Sequence, residues 1–154
     1  LKGSRNHLSE IKKPLQMIHE RVIELQWEFD QVFEKTKRDL AKEGIHFKNE
    51  KQLSVGQKDF LVQFFDQEIR HDIIPIIIGP KLPMPELEDN ALYLIVELEL
   101  KESSKFIYAL IEVPQTKSRW VILPADKNQH HVIFLEDVIR LNLKKIIFLS
   151  KRIF

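Results

Sequence analysis

The sequence predicts an α+β fold, with a mainly antiparallel sheet flanked by helices and one long N-terminal helix. Two observations predict it. Apolar residues recur at helical spacing through the first third of the chain, whereas the strand-like segments of the second half follow one another through short polar turns. The helices lie mostly outside that run of strands, which separates the pattern from alternating βαβ units with a parallel sheet.

The long helix rests on Ile11, Leu15, Ile18, Val22, Leu25, Phe29 and Val32, alternately four and three residues apart. That is a heptad-like seam. Ile23, Trp27 and Phe33 widen it beyond a two-stranded coiled-coil stripe, and Leu40 continues the face. Pro14 is expected in the first turn, where its missing N–H costs nothing. Gly44, after "AKE", is expected as a left-handed cap. The helix either packs on its own domain or is shared with another subunit, and Leu15, Val22, Trp27, Phe29 and Phe33 are the partner-interface candidates.

"GIHFKN" predicts a short strand with Ile45 and Phe47 on one face. Ser54, followed by Gln57, forms a capping box that starts a second helix. Phe60, Leu61, Phe64, Phe65 and Ile69 supply its buried face, and Pro75 requires it to end by about Asp72. Ile76, Ile77 and Ile78 read as a short buried strand. "PKLPMPELEDN" carries three of the seven prolines and is a loop. "ALYLIVELEL" and "KFIYALIEV", separated by "KESS", predict an antiparallel hairpin. "RWVIL" and "HVIF" are further strands. "LEDVIRLNLKKIIF" is a closing helix, with Leu135, Val138, Ile139 and Asn142 on one face.

At 154 residues the chain can bury one core, with 44% apolar and 31% charged residues. A formal net charge of +1 gives no overall attraction to nucleic acid or anionic membrane, so any anion site must be a local cluster. The absence of cysteine excludes disulfides and thiolate metal sites and fits a reducing compartment. No apolar run approaches the roughly 18 residues of a transmembrane segment. The chain starts at Leu1 and stops inside "KKIIFLSKRIF" without a capping residue. The expectation is a piece of a longer protein: a long helix over 1–43 leading into an α+β domain over 44–154, truncated at its C-terminal end.

Catalytic chemistry finds little support in the residues. Arg70, His71 and Asp72 are consecutive, and neighbouring helical side chains point about 100° apart, so His71 and Asp72 do not form a dyad. His130 and His131 on a strand face opposite ways and cannot share a metal ion. Glu97 and Glu99 share a strand face and read as the solvent side of a sheet. Gly-rich phosphate loops and a G-x-S-x-G elbow are absent. The catalytic and metal sets are therefore empty. Arg70, Lys117, Arg119 and Arg140 remain as phosphate-binding candidates, because guanidinium and ammonium groups match phosphate.

The order of segments carries more. "EFDQVFEKTKRDLAKEGIHFKNEKQLSVGQKDFLVQFFDQEIRHDIIPIII", then "ALYLIVELEL", "FIYALIEVPQTKSRWVILP" and "VIFLEDVIRLNL", resembles the head (middle) domain of bacterial polyphosphate kinases. The resemblance covers roughly Leu8 to Phe148. It departs at "KLPMPELEDNALYL", where many members carry an aromatic-proline and Asn-Leu-Ser segment, so no role of that loop is carried over. The resemblance implies a parent enzyme that reversibly moves the terminal phosphate of ATP onto polyphosphate, with magnesium and a phosphohistidine intermediate. None of the six histidines matches the family's phospho-acceptor motif, so no catalytic residue is carried over; this stretch is expected to hold no cofactor of its own and to be inactive alone. The implied role is subunit contact in a homodimer and shaping of the polyphosphate tunnel, in a cytoplasmic parent whose membrane association is left open. The alternatives are a stand-alone interaction module and a weak polyanion-binding domain.

Overall fold

The computed structural model describes residues 3–79, 82, 84–100, 106–125, 128–147 and 150–153. The chain divides into two units, Leu1–Glu43 and Gly44–Phe154.

The first unit is one helix, α1 (Gly3–Lys42), of 40 residues, about 60 Å long at 1.5 Å per residue. Pro14 lies inside it rather than in its first turn, which corrects the sequence expectation. Proline removes one donor and frees the carbonyl four residues back. The helix nevertheless runs through Pro14 as one element, its surface exposed from Lys12 to Gln31. Its polar side is laced by pairs three and four residues apart: Gln16 Nε2 donates to Glu20 at 2.9 Å, Arg21 reaches Glu24 at 2.9 Å, and Lys42 reaches Asp39 at 2.7 Å.

The second unit begins at Gly44, whose φ of +79° is the left-handed conformation that glycine adopts without steric cost. A side chain there would also meet the Asn128 carbonyl oxygen at 3.0 Å. The chain then enters β1 (Ile45–Lys48). The capping box forms as the sequence predicts: Ser54 Oγ accepts from the Gln57 N–H, and Gln57 Oε1 accepts from the Ser54 N–H, opening α2 (Val55–Phe64). The helical run continues as a π turn over Phe65–Ile69 and a tighter turn over Arg70–Asp72, then stops at the expected place before Pro75. In an α-helix, residues four apart drift by about 40° per step. The wider π turn counters that drift, and Leu61, Phe65 and Ile69 are all fully buried.

The strands form two sheets. One has the order β2-β4-β3-β7, with β2 (Ile76–Ile78), β3 (Tyr93–Leu100), β4 (Phe106–Glu112) and β7 (Ser150–Ile153). Its pairings are antiparallel, and the predicted β3–β4 hairpin is present with Tyr93 opposite Glu112; its "KESS" turn lies outside the described residues. The other sheet has the order β1-β6-β5, with β5 (Trp120–Leu123) and β6 (His130–Phe134). Here β5 and β6 are antiparallel, but β1 runs parallel to β6, with Ile45 opposite His130. That parallel pair departs from the expected antiparallel pattern because its two strands are distant in sequence and no hairpin turn dictates their direction. The isoleucine strand β2 is also less buried than predicted. It is an edge strand, so Ile76 is exposed while Ile77 packs on the core.

The closing helix is two pieces, α3 (Leu135–Leu141) and α4 (Leu143–Ile146). Asn142 breaks them, and its buried amide donates to the Val138 carbonyl at 2.9 Å. Leu135, Val138 and Ile139 join Leu61, Phe65, Ile69, Val96, Leu98, Ile111, Val121, Leu123 and Ile133 in one buried cluster fed by both sheets.

Candidate functional site

The interface candidates lie on α1. Leu15 is 57% exposed, Val22 44%, Trp27 64% and Phe29 66%, whereas Phe33 is half-buried. Phe29 and Phe33, one turn apart, stack with their centroids 6.0 Å apart, and Lys37 lies over the Phe33 ring at 4.9 Å. Val22, Leu25 and Phe29 line a shallow groove rimmed by Gln26 and Asp30. The heptad spacing thus becomes a continuous apolar face.

The four phosphate-binding candidates do not converge on one site. Each already faces a carboxylate. Arg119 makes a two-pronged contact with Glu136, Nε at 2.9 Å and Nη2 at 2.7 Å, and lies over the Phe134 ring. The Glu136 hydrogen bond also raises the Arg119 pKa. Arg140 pairs with Asp137 in its own helix and approaches Glu50 at 3.5 Å. Burial pushes the Asp137 carboxyl up from its ordinary range, and Arg140 pulls it back. Lys117 sits 3.5 Å from Asp72 and 3.8 Å from Glu68. Arg70 is 3.7 Å from Asp66, whose other oxygen accepts from Lys145 at 2.5 Å. Arg70 and Asp72 thus join a charged rim at the end of the α2 run, in which Lys117 and Lys145 come from elsewhere in the chain.

Glu97 accepts a hydrogen bond from the Tyr108 hydroxyl at 3.0 Å, which raises the Tyr108 pKa. Val96 and Leu98 point to the core, so Glu97 and Glu99 occupy the other face of β3. Among the described residues, no group of three or more His, Asp or Glu side chains is placed to hold a metal ion. No described helix is long and apolar enough to cross a membrane.

Sequence reasoning missed a polar cleft of about 390 Å³, lined by Lys48, Gln52, Ser54, Gln57, Pro124 and His131. Gln57 is 6% exposed. Beyond its capping role, its Nε2 donates to the Pro124 carbonyl and meets His131 Nδ1, both at 2.9 Å. His46 lies in register with His131 on the adjacent strand, the rings edge-on at 5.6 Å. The capping box was the local signal for Gln57. Its second role joins residues 74 positions apart, which no local pattern reveals.

Comparison with known proteins agrees with this architecture. The family described as "Polyphosphate kinase middle domain" matches residues 56–151. The polyphosphate kinase of Escherichia coli K12 is 34% identical over 142 residues, 90% of this chain and 20% of that protein. The polyphosphate kinase of Vibrio vulnificus YJ016 is 29% identical over 139 residues, 88% of this chain and 20% of its own length. The crystal structure of the Porphyromonas gingivalis polyphosphate kinase superposes with a TM-score of 0.77 at 26% identity, covering 88% of this chain and 23% of that one. The chain spans about a fifth of the length of these curated relatives. With a middle-domain match over most of its second unit and the same fold in a solved relative, the chain belongs to the polyphosphate kinase family.

Proposed function

We propose that this chain is the assembly element of a homodimeric, cytoplasmic polyphosphate kinase and frames its polyphosphate tunnel. The parent enzyme moves the terminal phosphate of ATP onto polyphosphate, reversibly and through a phosphohistidine. Magnesium supplies charge neutralisation of the phosphates when bound.

The observation that carries the reading is the exposed apolar face of α1, from Leu15 through Val22 to Phe29. A contiguous apolar surface of this kind marks an interaction site, and alternating spacing of four and three suits a second helix of the same pattern. The carboxylate partners of Arg70, Lys117, Arg119 and Arg140 favour assembly over polyanion capture by those four groups.

Sedimentation across a concentration series tests it. Reversible self-association is expected, and Val22→Glu combined with Phe29→Glu is expected to abolish it. A chain that stays monomeric at every concentration, or one that makes polyphosphate from ATP and magnesium unaided, overturns the proposal.

A further inference from the structure

The cleft beside α2 has a polarity that its own hydrogen bonds determine. The Ser54 N–H can only donate, so the Gln57 atom that it meets at 3.2 Å is the amide oxygen. The other amide atom is then the NH2 group, consistent with its contact to the Pro124 carbonyl. Its second hydrogen meets His131 Nδ1, which must accept, so His131 is the neutral tautomer with its proton on Nε2. Gln52 is turned likewise, its Oε1 accepting from the Asn49 N–H at 3.2 Å, so its NH2 end is the remaining polar group. Ser54 Oγ accepts from the Gln57 N–H, which leaves its hydroxyl hydrogen as a donor.

The wall therefore presents hydrogens. The Gln52 and Gln57 amide oxygens and the Pro124 carbonyl each already accept a hydrogen bond, and no Asp or Glu is among the described lining residues. Among the described lining residues Lys48 carries the formal charge, from the same strand face as His46. Unlike Arg70, Lys117, Arg119 and Arg140, it has no carboxylate partner among the described residues. A donor-lined cleft with one ammonium repels metal cations and complements an oxyanion.

We propose that this cleft binds a tetrahedral phosphate-class oxyanion through the Lys48 ammonium, the Gln52 amide and the Ser54 hydroxyl, with Gln57 and His131 as the positioning pair. The ligand is either free orthophosphate or a phosphate group of a phosphoanhydride chain. The site lies within the second unit and does not rest on the assembly role of α1.

The test is a 1H–15N NMR titration of the full 154-residue chain with orthophosphate in one arm and tripolyphosphate in the other. Saturable shifts are expected at the Lys48, Gln52 and Ser54 amides. Lys48→Gln should weaken binding about tenfold, the loss of one charge-assisted hydrogen bond, Gln52→Ala should weaken it less, and Arg119→Gln should leave it unchanged. Equal affinity in the two arms identifies a single phosphate group as the ligand. Binding of tripolyphosphate about tenfold or more tighter identifies the chain. Shifts that do not saturate, or binding undiminished in a folded Lys48→Gln variant, overturn the proposal.

Discussion

Replacing Gln57 by leucine tests whether one buried amide ties α2 to the three-stranded sheet. The variant keeps side-chain bulk but loses three hydrogen bonds, to the Ser54 N–H, the Pro124 carbonyl and His131 Nδ1. The capping share is about 1 kcal/mol. Leaving a half-buried ring nitrogen without its donor adds about 1–2 kcal/mol, the low part of the range for a buried polar group. Pro124 is exposed, so water can satisfy its carbonyl and that loss is small. The expected destabilisation is about 2–3 kcal/mol, a large fraction of the 5–15 kcal/mol typical of a domain. Urea unfolding followed by Trp120 fluorescence, in a Trp27→Phe background, reads the second unit alone. The midpoint should fall with an unchanged slope. Ser54→Ala, which removes the cap but not the tie to β6, should cost about 1 kcal/mol. If Gln57→Leu costs no more than Ser54→Ala, the contacts to Pro124 and His131 contribute nothing and the reasoning fails.

Two further outcomes are expected. Gly44→Ala should destabilise the second unit by at least about 1 kcal/mol, because alanine is strained at a φ of +79° and its Cβ would meet the Asn128 carbonyl at 3.0 Å; a loss under about 0.5 kcal/mol in the same urea assay would contradict this. In a Tyr93→Phe background, absorbance titration should show Tyr108 ionising above the ordinary value of 10.0, and Glu97→Gln should bring it back. The raised value favours the protonated phenol in the folded state. Its contribution is complete below the unfolded pKa and is lost as pH rises through the folded one.

What was legible in the sequence was local. Ser54 and Gln57 are three residues apart and form the box that their spacing predicts. Gly44, Pro75 and the alternation of β3 and β4 likewise act through near neighbours. The π turn at Phe65–Ile69 was not legible, because the pattern of buried residues fits an α-helix almost as well. The ion pairs were hidden for a different reason. Glu136 meets Arg119 17 residues away, and Lys145 meets Asp66 79 residues away, and only the tertiary fold brings them together. The strand β7 was also unforeseen, since "SKRI" has no alternation of its own and takes its form by pairing with β3.

The parallel pair of β1 and β6 bears on how the chain folds. The β3–β4 hairpin can close as soon as its own residues exist, since its strands are adjacent in sequence. β1 has no such neighbour: Ile45 waits for His130, and α2 and the whole β2–β4 segment lie in between. Loop closure of that length is slow, because its entropy is lost before the contacts form. During synthesis, which runs from the N-terminus, β1 and the donor-lined wall beside it must remain open until β6 emerges. The phosphate cleft is therefore among the last parts of the unit to exist.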